Sequence, residues 1–326
     1  MPQAHGYDVV HAIQAMLDGK VDVFFCMGGN FLSAAPDTDK TAVALQNIGL
    51  TVQVSTKLNR SHLITGKQAI ILPCLGRTEV DEQISGQQFV TVENSMGQVH
   101  RSVGRLPPAS KELRSEPWIV ARMAEATLGN QPLPWMDLVG NYDEIRSLMA
   151  RSLNGFEDYN ARVRTPHGFA LPNPPRDSQS FATPSGKAHF TVHELPNVSV
   201  EPGQYVLMTM RSHDQYNTTI YGLHDRYRGV HGHRRVLFMN ADDMVERGWK
   251  TRQSVSITSH FSGETRHSDQ WLVIPYEIPR GNLAAYFPEA NSLVPLHSTA
   301  ELSNTPTSKW IVCTLSSIDD SDLEEE

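Results

Sequence analysis

The chain changes texture near Tyr205, and that change limits the folds open to it. Before it, apolar runs such as VDVFFCM, LTVQVST and AIILP alternate with segments of helical periodicity. Strands alternating with helices at this interval imply βαβ units and a parallel sheet. After it, YVLMTMRS, RVLFMN, SVSITSHFSG, QWLVIPYEI, NLAAYF and KWIVCTLSS are short β-rich runs separated by turn residues. Many short strands so spaced imply a barrel-like β domain.

Within the first region, Val9, Ile13, Met16 and Leu17 fall on one helical face, with Gly19 as a stop. A second helix over DTDKTAVALQNIG takes Asp37 or Thr38 as its N-cap. SEPWIVARMAEATLG is a third, capped by Ser115 and ended by Gly129. Residues 1–140 are therefore assigned to an α/β domain and 204–317 to the β domain. Between them, 141–203 are partly helical, then rich in Pro, Ser and Gly, and are expected to form a connector. The acidic end, 318–326, is expected to be a solvated, disordered tail.

The 326 residues suffice for about two domains. A net charge of −8 disfavours a general surface for nucleic acid or anionic membrane, though not a local basic pocket. Cys26, Cys74 and Cys313 are far apart and no CxxC occurs, so these residues build neither a zinc knuckle nor a four-cysteine cluster. Cys26 and Cys74 lie in apolar runs and are expected to be buried thiols. No 18-residue apolar stretch or signal-peptide pattern is present, so a soluble cytoplasmic protein is expected.

Several places concentrate polar chemistry. Gly28, Gly29 and Asn30 end the first strand, where small residues let backbone N–H groups approach an oxyanion. STKLNRSH, 55–62, follows the second strand and offers Ser55, Thr56, Asn59, Lys57 and Arg60, a mixture suited to a phosphate or a base edge. Arg77 and Glu79 read as a surface pair. VTVENSMGQVHRSVG reads as a hairpin turning at Ser95-Met96-Gly97. The densest cluster, MTMRSHDQYNTTIYG, carries Thr209, Arg211, Ser212, His213, Gln215, Asn217 and Thr218. So many neutral hydrogen-bonding groups together suit a polyfunctional heterocycle with phosphates. His224, His231 and His233 lack a carboxylate or cysteine at ligand spacing and read as surface groups. Asn291 and Lys309 stand beside later strands. No catalytic triad, paired carboxylates, Walker loop or metal triad stands out, so these residues look equipped to hold a ligand rather than to break bonds unaided.

In colinear order, these segments resemble the C-terminal half of molybdopterin-dependent oxidoreductases of the dimethyl-sulfoxide-reductase superfamily, closest to the formate-dehydrogenase-like branch. GGNFLSAAPD is similar to the family's strand-Gly-x-Asn-Pro segment, with Phe31 for the proline. In STKLNRSHLITGKQAIILPCLGRTEVD, Gln68-Ala69 stand for the usual Ala-Asp before L-P. The 90–104 hairpin resembles T-x-x-N-x-E-G-R-x-Q, with Met96 replacing the acid and Gln98 the arginine. VLMTMRSHDQYNTT resembles L-x-T-x-R…Q-x-x-T, the opening of the molybdopterin-dinucleotide-binding domain. FMNADDMVERGWKTRQSVSITSHFSGE resembles that domain's I-x-P-x-D-A-x-x-x-G-I-x-D-G-D-x-V-x-V-x-S-x-x-G, and IPRGNLAAYFPEANSLVPL and TPTSKW its closing elements.

The resemblance implies an incomplete parallel-sheet α/β domain followed by a double-psi β-barrel-like domain. It implies the molybdenum bis(molybdopterin guanine dinucleotide) cofactor, with one guanosine diphosphate arm on Gly28, Gly29, Asn30, Ser55 and Thr56. Pterin and phosphates would then lie on Thr209, Arg211, Ser212, Gln215, Asn217, Thr218, Asn291 and Lys309. In the family, the metal ligand and the 4Fe-4S cluster lie upstream of the matching segments. The expected partner is thus the upstream half of the enzyme or a split-gene product, with a small-molecule substrate, no nucleic acid and no membrane. A chain of this extent would be inactive by itself. The departures at Phe31, Gln68 and Met96 leave a second expectation, a non-catalytic module that keeps the fold and holds a nucleotide or a partner chain.

Overall fold

A computed structural model describes residues 5–194, 199–218 and 220–318, so 319–326 of the expected acidic tail lie outside the described residues. The chain divides into two compact units, residues 1–72 with 197–326 and residues 73–196. The first α/β segment, residues 1–72, and the β domain thus fall in one unit.

The first segment opens with α1 (Val9–Leu17), whose N-cap Asp8 accepts the N–H groups of Val10 and His11 at 2.9 and 3.0 Å. That cap sets the helical phase, so Val10, Ile13 and Met16 face inward and Val9 stays exposed. β1 (Val23–Met27) pairs in parallel with β2 (Leu50–Ser55), Val23 opposite Leu50 through Met27 opposite Val54. β3 (Gln68–Pro73) completes the order β1-β2-β3. α2 (Phe31–Ala34) and α3 (Thr38–Gln46) connect β1 to β2. Phe31 stacks on Phe24 at 4.9 Å, an aromatic contact that a proline could not supply. Val10, Ile13, Met16, Leu32, Leu45 and Ile48 share their core with Leu296 from the β domain.

Residues 73–196 fold separately. β4 (Glu82–Gln83) pairs with β5 (Gly86–Gln87), and β6 (Val90–Glu93), β7 (Gln98–Ser102) and β8 (Phe169–Ala170) form an antiparallel sheet. The β6–β7 hairpin turns where expected, and Asn94 Oδ1 pins it by accepting the N–H groups of Met96 and Gln98. Glu79 does not pair with Arg77; its carboxylate takes the N–H groups of Gly76 and Ala109, at 2.6 and 2.7 Å. α4 (Glu116–Leu128) starts at Ser115, whose hydroxyl meets Tyr142 Oη instead of capping, and α5 (Trp135–Gly140) follows.

The expected connector over 141–203 holds regular structure. α6 (Tyr142–Ser152), α7 (Tyr159–Arg162) and α8 (Pro174–Ser178) lie in it, and Tyr159, Val163 and Phe169 share a buried cluster with Val99. The polar sequence of α6 hid its role. Arg146 is buried against the Phe89 ring, 4.0 Å from its centroid, with Nε on Asn160 and a contact to Asp143.

The β domain is a closed six-stranded barrel in the order β10-β12-β11-β14-β9-β13, as the sequence pattern predicts. Its strands are β9 (Tyr205–Met210), β10 (Val236–Met239), β11 (Ser254–Phe261), β12 (Glu264–Pro275), β13 (Asn282–Tyr286) and β14 (Ile311–Ser317). The β9–β13 and β10–β12 pairs are parallel and the other four antiparallel. Inward side chains recur every second residue: Leu237 and Met239 join Leu283, Ala285, Trp271 and Ile257 in the barrel core. The alternate positions Val236, Phe238, Ala284 and Tyr286 pack in a second buried cluster. Strands buried on both faces explain the nearly continuous apolar runs. α9 (Ala241–Glu246) links β10 to β11.

The α/β layer is fastened to the barrel by charge as well as by Leu296. Arg266 on β12 donates through Nε to Asp37 at 2.6 Å, both side chains being buried. Asp37 stands at the N-cap position of α3 as expected, but its carboxylate serves Arg266 and makes no capping bond.

Candidate functional site

β1 ends at Met27, and the next residue, Gly28, donates its N–H to Val54 O on β2 at 2.8 Å. Gly28 and Gly29 then turn with φ of 67° and 74°, a region that favours glycine, and the space where a Gly29 Cβ would project is empty to 4 Å. The loop after β2 braces this turn. Asn59 Nδ2 donates to Gly29 O at 2.7 Å, and Ser61 Oγ donates to the buried Asn30 Oδ1 at 2.8 Å while accepting the Leu32 N–H. The Asn30 side-chain oxygen thus works within the protein. His62 Nδ1 meets the Asn59 N–H at 3.0 Å, and its Nε2 is buried without a hydrogen-bond partner among the described residues. Ser55 Oγ donates to Lys57 O, while Thr56 is exposed. The turn is an ordered, open backbone cradle next to a hydroxyl-bearing loop.

The second group lies where β9 leaves the barrel. Lys309 Nζ donates to Thr209 O, and the Thr209 N–H to Ser308 O at 2.9 Å. Partial desolvation and the neighbouring Arg211 guanidinium both push the Lys309 ammonium below the usual lysine range. Arg211 packs near the Phe287 ring. Among the described residues neither cation has a carboxylate partner, so two like charges converge where an anion would relieve both.

Beside them the loop is locked from within. Gln215 Oε1 accepts from Ser212 N–H and Oγ–H at 2.9 and 3.1 Å, and Gln215 Nε2 donates to Asn217 O and Phe287 O. The organiser is Arg234, 6% exposed, which donates to Ser212 Oγ, Gln215 Oε1, Phe287 O and both oxygens of Glu289. Ser212 and Gln215 therefore shape the loop, Asn217 sits in a left-handed conformation within it, and Thr218 is buried. Asn291 is buried too, its Nδ2 on Ser33 O at 2.7 Å and its carbonyl accepting the Asp37 N–H. It ties the barrel to the α/β layer. Among the described residues, no hydrogen bond or ion pair directly joins the Gly28 turn to the 209–218 loop.

A second buried centre was not apparent in the sequence. Asp225, 2% exposed, accepts from the His213 N–H, His213 Nδ1, Arg228 Nη1 and Tyr286 Oη, at 3.2, 3.1, 2.6 and 2.8 Å. Burial pushes its pKa up, but the hydrogen bonds from Arg228, Tyr286 and the His213 amide outweigh that and hold it at about 2. Burial and this carboxylate push the Tyr286 phenol well above the usual tyrosine range. The only hint in the sequence was one acid amid basic residues in LHDRYRGVHGHRR. Nothing there separates buried Arg234 from exposed Arg235, and the strand that follows, buried at all four positions, does not separate them either.

Among the described residues, no group of three or more His, Cys, Asp or Glu could hold a metal ion, and no helix is long and apolar enough to cross a membrane. Cys74 and Cys313 are buried, as expected for Cys74; Cys26 is only partly so, its thiol 3.4 Å from Gly28 O.

Comparison with known proteins agrees with this architecture. Residues 205–312 match the family described as Molydopterin dinucleotide binding domain. An uncharacterized oxidoreductase of Mycobacterium tuberculosis (strain H37Rv) is 52% identical over 320 residues, which is 96% of this chain and 41% of the relative. Protein YdeP of Escherichia coli (strain K12) is 42% identical over 95% of this chain and 42% of its own length. The chain thus spans about two fifths of the curated relatives it matches. Acetylene hydratase from Pelobacter acetylenicus superposes with a TM-score of 0.66 over 97% of this chain and 47% of that one, at 13% identity, a likeness of fold. The barrel segment, residues 205–312, thus matches the molydopterin dinucleotide binding domain family, on a chain similar to part of longer oxidoreductases.

Proposed function

We propose that this chain is the cofactor-holding C-terminal portion of a molybdopterin oxidoreductase resembling formate dehydrogenase, which takes molybdenum as bis(molybdopterin guanine dinucleotide). The observation that carries the reading is the Arg211–Lys309 pair, two neighbouring cations without a carboxylate partner among the described residues, on the segment that matches the dinucleotide-binding family. A phosphate or pyrophosphate would accept from both and relieve their repulsion. The Gly28-Gly29 turn supports the reading independently, because its backbone is open to close approach by an oxyanion.

In this reading the bound group supplies the redox chemistry at its metal, and these residues only hold it. Lys309 and Arg211 neutralise phosphate charge, and Thr56 and Thr218 supply hydroxyls. The network of Ser212, Gln215 and Arg234 keeps the loop that carries Arg211 in one shape, which limits the entropy lost on binding. Asn291 holds the α/β layer in register with the barrel. The iron–sulfur cluster, the metal ligand and the substrate funnel would come from sequence that the longer relatives carry, supplied as an upstream half or a split-gene partner in the cytoplasm.

Co-purification tests this. The chain is produced with and without an upstream segment of the kind its relatives carry, in a host that makes the cofactor. Pterin is released by acid oxidation and read by fluorescence, and metal is counted per chain. Pterin and metal in the paired sample, lost when Arg211 and Lys309 are both changed to Met, are expected. Folded protein without pterin in either sample would refute the reading and favour the non-catalytic nucleotide- or partner-binding module.

A further inference from the structure

Although the chain is acidic, it carries a basic concavity whose residues the cofactor reading leaves unused. A groove of about 600 Å³ opens at the end of the barrel where α9 gives way to β11. It is lined by His233, Lys250, Thr251, Arg252, Gln253, Ser254, Gln270 and Leu272, none of them acidic. Among the described residues neither Lys250 nor Arg252 has a carboxylate partner. The Arg252 guanidinium donates instead to His233 Nε2 at 2.7 Å, which holds both groups on the rim.

Its backbone is unusual at two points. Arg252 has a φ of 67° and Gln270 a φ of 59°, a region that L side chains rarely adopt. For Gln270 the cause is a bulge: the β11–β12 register shifts between Val255 and Ile257, which leaves Asp269 and Gln270 outside the regular pairing. For Arg252 it is a tight turn, in which the Arg252 N–H reaches Val273 O at 2.8 Å and Gln253 N–H reaches Lys250 O at 3.0 Å. Glycine would relax that turn. Strained residues of useful chemistry that share one concavity mark a site.

We propose that this groove binds a phosphate-bearing anion up to the size of a mononucleotide. Lys250 and Arg252 would take the phosphate, in the point-charge and forked modes suited to each. Thr251, Gln253, Ser254 and Gln270 offer hydroxyl and amide groups for a sugar or base edge, and Leu272 an apolar floor. The volume lies within the range of about 300–1,000 Å³ usual for small-molecule sites.

The test is titration calorimetry of the full chain with inorganic pyrophosphate and, separately, ADP, at low and high salt. Saturable binding is expected, weakened at least about tenfold in Arg252→Gly and in Lys250→Ala. Arg252→Gly should also melt no lower than the parent, because it relieves the left-handed turn, so its lost affinity cannot come from misfolding. Equal affinity for both probes would identify a phosphate site, and tighter ADP a nucleotide site; either supports the proposal. Absence of saturable binding by both probes, or affinities unchanged in the two variants, would overturn it.

Discussion

Asp225→Asn separates the buried carboxylate from every other acid in the chain. Its pKa falls from 3.8 to about 2, which at 1.36 kcal/mol per unit corresponds to roughly 2 kcal/mol of pH-dependent stability. The sign follows from the direction. The folded state binds this proton less readily than the unfolded one, so the contribution is whole above the unfolded value and fades as pH falls through about 2. The substitution has a second cost at neutral pH. It leaves Arg228, whose side chain is 17% exposed, facing an uncharged amide, and breaking a largely buried pair costs about 3–5 kcal/mol. Urea unfolding followed by far-UV ellipticity, from neutral pH to about pH 2, measures both. Other carboxylates titrate equally in the two proteins and cancel in the difference. The stability gap should be about 3–5 kcal/mol at neutral pH and shrink by roughly 2 kcal/mol toward pH 2. Parallel curves, or a neutral-pH loss below about 1 kcal/mol, would refute a charged, hydrogen-bonded Asp225.

Two further substitutions probe how the units are held. Arg266→Met strands the buried Asp37 carboxylate and should cost about 3–5 kcal/mol by urea unfolding, and adding Asp37→Leu should restore most of it. Gly104→Ala would place a Cβ 1.7 Å from Glu79 O, so residues 73–196 should lose at least about 3 kcal/mol, read as faster amide exchange around Glu79 and Gly104.

The strands and the barrel were legible because periodicity survives in one dimension: β1, β2, β3 and the barrel runs are apolar, β-branched and bounded by turn residues. The partly helical reading of 141–203 holds at α6, but the burial of its arginine was not legible. Asp143, three residues before Arg146, neutralises it, while Asn160 and the Phe89 carbonyl, distant in sequence, hydrogen-bond it, and no local pattern announces those partners. The 28–30 turn and the 209–218 cluster were visible as residue types gathered in short stretches. What each side chain does there was not. Gln215, Ser212 and Asn291 have the chemistry of ligand groups, yet their hydrogen bonds go to Arg234, Phe287, Asn217 and Ser33.

By itself the sequence determined the α/β and β textures and the neighbourhoods rich in polar chemistry, since those depend on spacing along the chain. Only the tertiary structure decided which polar groups are satisfied within the protein and, among the described residues, which cations lack a carboxylate partner. It singled out Arg211 with Lys309, and the Arg252 groove, from arginines and lysines that look alike in the sequence. The physical reason is that a buried polar group must find a partner. Which partner it finds depends on chain segments brought together from far apart in sequence.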